Sequence, residues 1–192
     1  MKEIVILGGP NGAGKTTAAR VLLPEFLHMH EFLNADEIAR EIAPDHPEAA
    51  AMAAGRRMIE RMRENVQRQR SFGFETTCSG KSYLHLLNRC KREGWGITLI
   101  YLWLPSPQEA IARVAKRVMR GGHNIPADTI VRRFHAGLSN MRNLYLPLAN
   151  TAAIYDNGGE RRMLVAEKES GRPLAIVDAK RWSQMEQMAL WK

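Results

Sequence analysis

Short apolar runs alternate with amphipathic stretches along most of the chain. Lys2 to Leu7 is rich in Ile and Val and runs into glycines, which predicts a buried strand followed by a turn. A helix is expected from Lys15 to just before Pro24, then a brief strand over Glu31 to Asn34. Asp36 is placed to cap a helix that runs through Ala43 and stops at Pro44. From Pro47, suited to a first helical turn, to about Gln69 the pattern predicts a long helix. Met52, Ile59, Met62 and Val66 fall on its apolar side, and Arg56, Arg57, Arg61, Arg63 and Arg68 crowd the rest, so the methionines read as core.

Ser71 to Thr77 reads as a third strand, and Ser82 to Arg92 as a helix closed by Gly94. Gly96 to Leu104 is continuously apolar and β-rich, the pattern of an interior strand covered on both faces. Pro107 to Arg120 predicts a basic helix, broken at Gly121-Gly122 and restarted at Pro126 to run past Asn140. Another strand is expected over Ala152 to Asp156, and the turn Asn157-Gly158-Gly159 leads into Arg162 to Glu167. Asp178 to Trp191 reads as a terminal helix. Strands alternating with helices argue for a three-layer α/β domain with a mainly parallel sheet. No repeat or linker divides the 192 residues, so one domain is expected over 1–192, with 107–143 as a helical segment and 171–192 as a carboxyl-terminal extension.

Composition narrows the partners. Hydrophobic residues make up 45% and charged residues 25%, which fits an ordered core. Lys and Arg number 28 against 20 Asp and Glu, a net charge of +8 that attracts anions without naming one. Basic segments such as Arg56-Arg57 and Arg161-Arg162 lack interleaved aromatics, which argues against nucleic acid. The longest apolar run, Ile97 to Leu104, is far short of the roughly 18 to 20 residues that span a bilayer, and the amino terminus does not read as a secretory signal. No membrane partner is expected, and a cytoplasmic location is. Cys78 and Cys90 lack CxxC spacing and read as reduced thiols. His28 and His30 alternate without a third metal ligand, and His123 stands in a basic stretch where it could contact phosphate.

The sharpest chemical signal is Gly9-Pro10-Asn11-Gly12-Ala13-Gly14-Lys15-Thr16, followed by Thr17. It fits GxxxxGK[ST] and lies between a predicted strand and a predicted helix, the context a phosphate loop requires. Glycines let successive backbone N–H groups wrap a β-phosphate at a helix amino terminus. Lys15 then bridges the β- and γ-phosphates, and the Thr16 hydroxyl ligates Mg2+. Nucleoside triphosphate, read as ATP, is the expected ligand. An apolar strand ending in Asp or Asp-Glu, as in motor and transporter ATPases, is missing from the best interior strand, which ends Leu102-Trp103-Leu104-Pro105. Two weaker mimics, Ala153 to Asp156 and Ala175 to Asp178, lack the following glutamate.

A small-molecule kinase needs a base, groups that hold the acceptor, and arginines that neutralise the transferring phosphoryl group. Asp36 follows the second strand at the edge that carries the phosphate loop and is the candidate base, with Asn34 beside it. Glu75-Thr76-Thr77 closes the third strand at the same edge, where a carboxylate beside two hydroxyls suits a sugar or ribose. Arg113, Arg117 and Arg120 share a helical face before the glycine pair, and Arg132-Arg133 follow it, an arrangement that predicts an arginine-bearing helical lid.

Together these residues resemble the zeta toxin family, in particular its short zeta-toxin-like P-loop kinases. The resemblance rests on Gly-Gly-Pro-Asn-Gly-Ala-Gly-Lys-Thr-Thr at 8–17, Phe-Leu-Asn-Ala-Asp at 32–36 and Phe-Glu-Thr-Thr at 74–77. It continues through Arg113-Val114, Arg117, Gly-Gly-His-Asn-Ile-Pro at 121–126, Arg-Arg-Phe at 132–134 and Tyr-Asp-Asn at 155–157. It implies an ATP-dependent kinase that phosphorylates the sugar 3'-hydroxyl of UDP-N-acetylglucosamine, held in check by a cognate antitoxin. By motif, Asp36 is then the catalytic base, Lys15 the phosphate-binding lysine, and Glu75 with Thr76 part of the acceptor pocket. Arg117 and Arg133 match the phosphate-clamping pair, with Arg120 and Arg132 as neighbouring alternatives. Two other readings stay open: a kinase for another nucleotide, NAD or an antibiotic hydroxyl, and a nucleotide-switched binding protein or ATPase that gates a partner.

Overall fold

The computed structural model describes residues 2–19, 29–122 and 124–190. They form one seven-stranded sheet, built from β1 (Glu3–Gly8), β2 (Glu31–Leu33), β3 (Phe72–Thr76), β4 (Gly96–Trp103), β5 (Thr151–Asp156), β6 (Met163–Lys168) and β7 (Ala175–Ile176). The strand order is β2-β3-β1-β4-β5-β6-β7. The first five positions pair in parallel, and β6 and β7 add antiparallel strands at one edge. Ile4, Val5, Ile6 and Leu7 are all buried. Successive side chains on a strand point to opposite faces, so both faces of β1 are covered, as parallel sheets require. This is the expected α/β architecture, with a mainly parallel sheet in the P-loop kinase-like arrangement.

Helices packed around the sheet are α1 (residues 15–19 as described), α2 (Ala35–Ile42), α3 (Ala51–Gln67), α4 (Leu84–Arg92), α5 (Pro107–Val118), α6 (Ala127–Asn140), α7 (Leu146–Leu148) and α8 (Ala179–Ala189). The rest of the helix expected up to Pro24, His28, His123 and Trp191 lie outside the described residues. A π-helical turn over Met141–Tyr145, which the sequence pattern does not announce, joins α6 to α7. No described helix is long and apolar enough to cross a membrane.

Three local expectations are corrected. The α2 cap is Asn34, whose side chain accepts from the Asp36 N–H at 2.8 Å, so Asp36 sits inside the first turn rather than before it. Helix α3 starts at Ala51 and not at Pro47, and its buried face is Ala54, Met58, Met62, Asn65 and Val66. Met52 is consequently 74% exposed, and Ile59 is only half-buried. The segment 175–178 is no acidic strand beside β1: Ala175–Ile176 is the outermost strand, and Asp178 caps α8 by accepting from Arg181 N–H.

Because β1 to β5 are parallel, their carboxyl ends meet at one edge. The phosphate loop leaves β1 there, Asn34 and Asp36 follow β2, and Glu75 closes β3 opposite Leu7 of β1. Open α/β sheets bind ligands at this edge.

Candidate active site at the carboxyl edge of the sheet

A cleft of about 560 Å³ opens at this edge. Its lining brings together Asn11, Gly12, Gly14, Lys15, Thr16 and Thr17 of the loop, Asn34 and Asp36 after β2, and Glu75 and Thr76 of β3. Arg113 and Arg117 enter from α5, and Arg133 enters from α6. Gly9, Pro10 and Ala13 form the buried part of the loop behind this lining. Gly9 has φ +147°, and a side chain there would run into the Leu102 carbonyl of β4, so only glycine lets the loop leave β1 at this angle. Arg120 and Arg132 are exposed and do not line the cleft.

Lys15 is buried, and its Nζ donates to the carbonyls of Gly9 at 2.8 Å and Pro10 at 2.9 Å. The same ammonium stands 3.8 Å from Glu75 Oε1. Burial pulls its pKa below the usual lysine value, and the Glu75 carboxylate pulls it back up. Glu75 shows the mirror image: burial pushes its carboxyl up, while Lys15 and a hydrogen bond from Thr16 hold it down. Its Oε2 accepts from Thr16 Oγ1 and from Asn34 Nδ2, each at 3.0 Å. Asp36 is exposed on the cleft wall, within electrostatic reach of both Lys15 and Glu75.

The sequence places Glu75 on the acceptor side, whereas the structure puts its carboxylate directly on the phosphate-loop threonine. The acid missing from the end of β4 is thus found on the other neighbour of β1, the strand β3. Asp156 of β5 does not line the cleft; it is buried and accepts from Arg181 Nε at 2.8 Å and from Gly158 N–H at 2.8 Å. Thr16 and Glu75 offer hard oxygen donors of the kind Mg2+ takes. Among the described residues no three His, Cys, Asp or Glu side chains gather into a cage.

Several lining residues are not singled out by the sequence. Arg40, Glu48, Ser79, Ser82 and Tyr83 also line the cleft. The polar run Thr77 to Ser82 after a strand end is the one signal that marks part of this wall. Arg113 is held by Glu109 at 2.6 Å and donates to the Gly158 carbonyl at 2.8 Å, so its guanidinium is already oriented.

Comparison with known proteins bears on the family and the fold. An uncharacterized protein of Haemophilus influenzae is 30% identical over 126 residues, which is 66% of this chain and 88% of that protein. Among solved structures, a chain of the AvrRxo1-ORF1:-ORF2 complex with ATP overlays all of this chain with a TM-score of 0.76 at 15% identity. This chain spans 65% of the length of that one. A chain from the PezAT chromosomal toxin-antitoxin system of Streptococcus pneumoniae overlays with a TM-score of 0.62 at 17% identity, over 98% of this chain and 86% of that one. At these identities the likeness is one of fold. A family model described as AAA domain (AAA_33) matches residues 4–144, most of the sheet and the whole cleft lining, and the chain belongs to that family.

Proposed function

We propose that this protein is an ATP- and Mg2+-dependent phosphotransferase that moves the γ-phosphoryl group to a hydroxyl of a small-molecule acceptor. The favoured acceptor is the sugar 3'-hydroxyl of UDP-N-acetylglucosamine, and the favoured biological role is that of a cytoplasmic toxin checked by an antitoxin protein. The observation that carries the reading is the convergence of Lys15, Asp36, Glu75 and arginines from two separate helices on one cleft. A P-loop fold shared with an ATP complex and with a toxin-antitoxin protein supports it.

In this reading the loop from Gly9 to Thr17 wraps the phosphates with backbone N–H groups, and Lys15 exchanges its two carbonyl partners for phosphate oxygens. Thr16 and Glu75 would hold Mg2+, which when bound neutralises charge on the β- and γ-phosphates. Asp36 accepts the hydrogen bond of the acceptor hydroxyl and aims it at the γ-phosphorus. Transfer is largely dissociative, so orientation matters more than basicity. Arg117 and Arg133 face the transferring group from opposite helices, and Arg120 would join them only by swinging in from the end of α5. Asn34 fixes the Glu75 carboxylate and the start of α2 at once, which sets where Asp36 stands. Thr76 and the hydroxyls beyond it then meet the acceptor.

The test is transfer from γ-labelled ATP with Mg2+ against separate pools of UDP-sugars, nucleotides, NAD and aminoglycosides, with products resolved by mass. Labelled UDP-N-acetylglucosamine, lost in Asp36→Asn, is the expected result. Label in another pool keeps the kinase and replaces its acceptor, and no labelled product in any pool overturns the kinase reading in favour of a nucleotide-gated binding protein.

A further inference from the structure

A short loop after β3 contributes Thr77, Ser79 and Gly80 to the cleft lining, and its backbone is fixed from behind. Four successive residues turn their carbonyls toward α6 and the π-helical turn. The Thr77 carbonyl lies against Gly137, where any side chain would collide with it. The carbonyls of Cys78 and Ser79 accept from a single side-chain amide, Asn140 Nδ2, at 2.9 and 3.1 Å. The Gly80 carbonyl accepts from the buried Tyr145 hydroxyl at 2.9 Å. Within this grip Cys78 holds φ +57°, a left-handed conformation that costs a non-glycine residue about 1 kcal/mol or more and persists only where its surroundings impose it.

The π-helical turn explains how one helix reaches so far along the loop. In a continuous α-helix, residues five apart stand about 140° apart around the axis, so Tyr145 would face away from Asn140. The turn closes with the Leu146 N–H bonded to the Met141 carbonyl, five residues back, and the wider turn brings Asn140 and Tyr145 round to the same side. With the carbonyls taken up behind, Thr77 and Ser79 line the cleft.

We propose that Asn140 and Tyr145 are positioning residues that set the acceptor-facing loop of the cleft, so that acceptor recognition depends on α6 and its π-helical turn while ATP binding does not. This rests on the phosphotransferase reading. A consequence is that α6, which also presents Arg133 to the cleft, links the phosphate-facing and acceptor-facing sides through one rigid element.

Two variants test it in a Cys90→Ser background, which leaves Cys78 as the sole thiol. Asn140→Asp is isosteric and removes the donor; Tyr145→Phe removes one hydroxyl and keeps the ring. Cys78 is fully buried and its thiol is pushed up to about 12 by that burial, so its labelling by dithiobisnitrobenzoate reports opening of this loop. Asn140→Asp is expected to speed labelling about tenfold, the worth of a lost buried hydrogen bond with its acceptors stranded. With the acceptor found by the pool screen, its KM should rise about tenfold in Asn140→Asp and less in Tyr145→Phe, while the Kd for ATP stays within about a factor of two. Should Asn140→Asp not fold, Tyr145→Phe carries the same test at smaller amplitude. Unchanged labelling, or an ATP Kd that worsens in step with the acceptor KM, overturns the proposal. If no pool is labelled by the parent protein, the kinase reading has failed, and the labelling rate still decides whether Asn140 and Tyr145 hold the loop.

Discussion

The phosphate-loop wall of the cleft is held by bonds within the loop, Lys15 donating to Gly9 and Pro10 and the Ala13 N–H to Pro10, and by the adjacent end of β3, where the Thr76 carbonyl accepts from the Gly9 N–H and Glu75 accepts from Thr16. The loop after β3, which forms another part of the cleft wall, takes its shape from hydrogen bonds to residues 61 to 65 positions later in the chain. A wall built locally keeps its chemistry in any context that preserves the strand and helix around it. A wall built by a distant helix can be reshaped by changes in that helix without disturbing the triphosphate site. The comparison predicts that nucleotide binding and acceptor choice are separable, and the following experiments press on the loop wall, on Asp36 and on the Glu75 between them.

The largest effect is expected from Lys15→Ala. It removes the one buried cation of the loop wall and leaves Glu75 without its partner, so both ATP affinity and turnover should fall, turnover by about a thousandfold or more. Isothermal titration and a phosphate-transfer assay separate the two losses. Next comes Asp36→Asn, which changes the charge of an exposed cleft residue without touching a loop bond. Its transfer rate should drop about a hundred- to a thousandfold while the ATP Kd holds. A Kd that moves as far as the rate would place Asp36 with the loop wall and blur the division.

Glu75→Gln sharpens the comparison because Glu75 touches both sides, through Thr16 and through Asn34. Burial lowers the Lys15 pKa from its usual 10.5, and Glu75 opposes that shift. In the proposed reaction the charged ammonium binds phosphate, so ATP affinity should be lost as pH rises through the lowered pKa, below 10.5. Removing the Glu75 charge lowers Lys15 further, and the loss should begin at a still lower pH. At the acid end, the carboxyl that burial pushes up must be ionised to serve Thr16 and Lys15. Activity in the parent protein should therefore fall at a pH above the usual glutamate value of 4.5, a limb that Glu75→Gln abolishes. Transfer at pH 7.5 should fall about a hundredfold in this variant. ATP titrations and rate profiles across pH check these statements.

The same division explains what can be read from the residues in order. The loop, the strands beside it and Asp36 after β2 are legible because each is a local pattern with its own physical logic. The acid beside Thr16 is harder to find, since the strand with the clearest apolar run is β4 while the carboxylate comes from β3, and which strand flanks β1 is a property of the sheet order. Helix α3 misleads for a local reason: its start at Ala51 turns Ala54 and Met58 inward, and a small alanine among arginines gives little hydrophobic signal. Buried Asn65 owes its place to the Glu31 carboxylate across on β2, which no spacing within α3 reveals. Asn140 and Tyr145 carry no signal at all, because their partners are backbone carbonyls and any residue supplies those.

The smallest expected effect tests how self-sufficient the loop wall is. The longest-range strut described on the loop wall runs from the end of β5, where Asn157 Nδ2 donates to the Ala13 carbonyl at 2.8 Å across 144 positions. The same amide lies against Gly14, so it both holds the loop and closes the space beside it. Asn157→Ala removes that donor but leaves the internal bonds of the loop, and water can reach the freed carbonyl because the contact is only partly buried. A net hydrogen bond of this kind is worth about 0.5–1.5 kcal/mol, so ATP should bind about two- to twelvefold more weakly. The acceptor KM, referred to saturating ATP, should not move, because Asn157 is not among the residues that line the cleft. A loss of ATP affinity beyond a hundredfold would show that β5 builds the loop as decisively as α6 builds the loop after β3, and the two walls would then differ only in which distant element supports them.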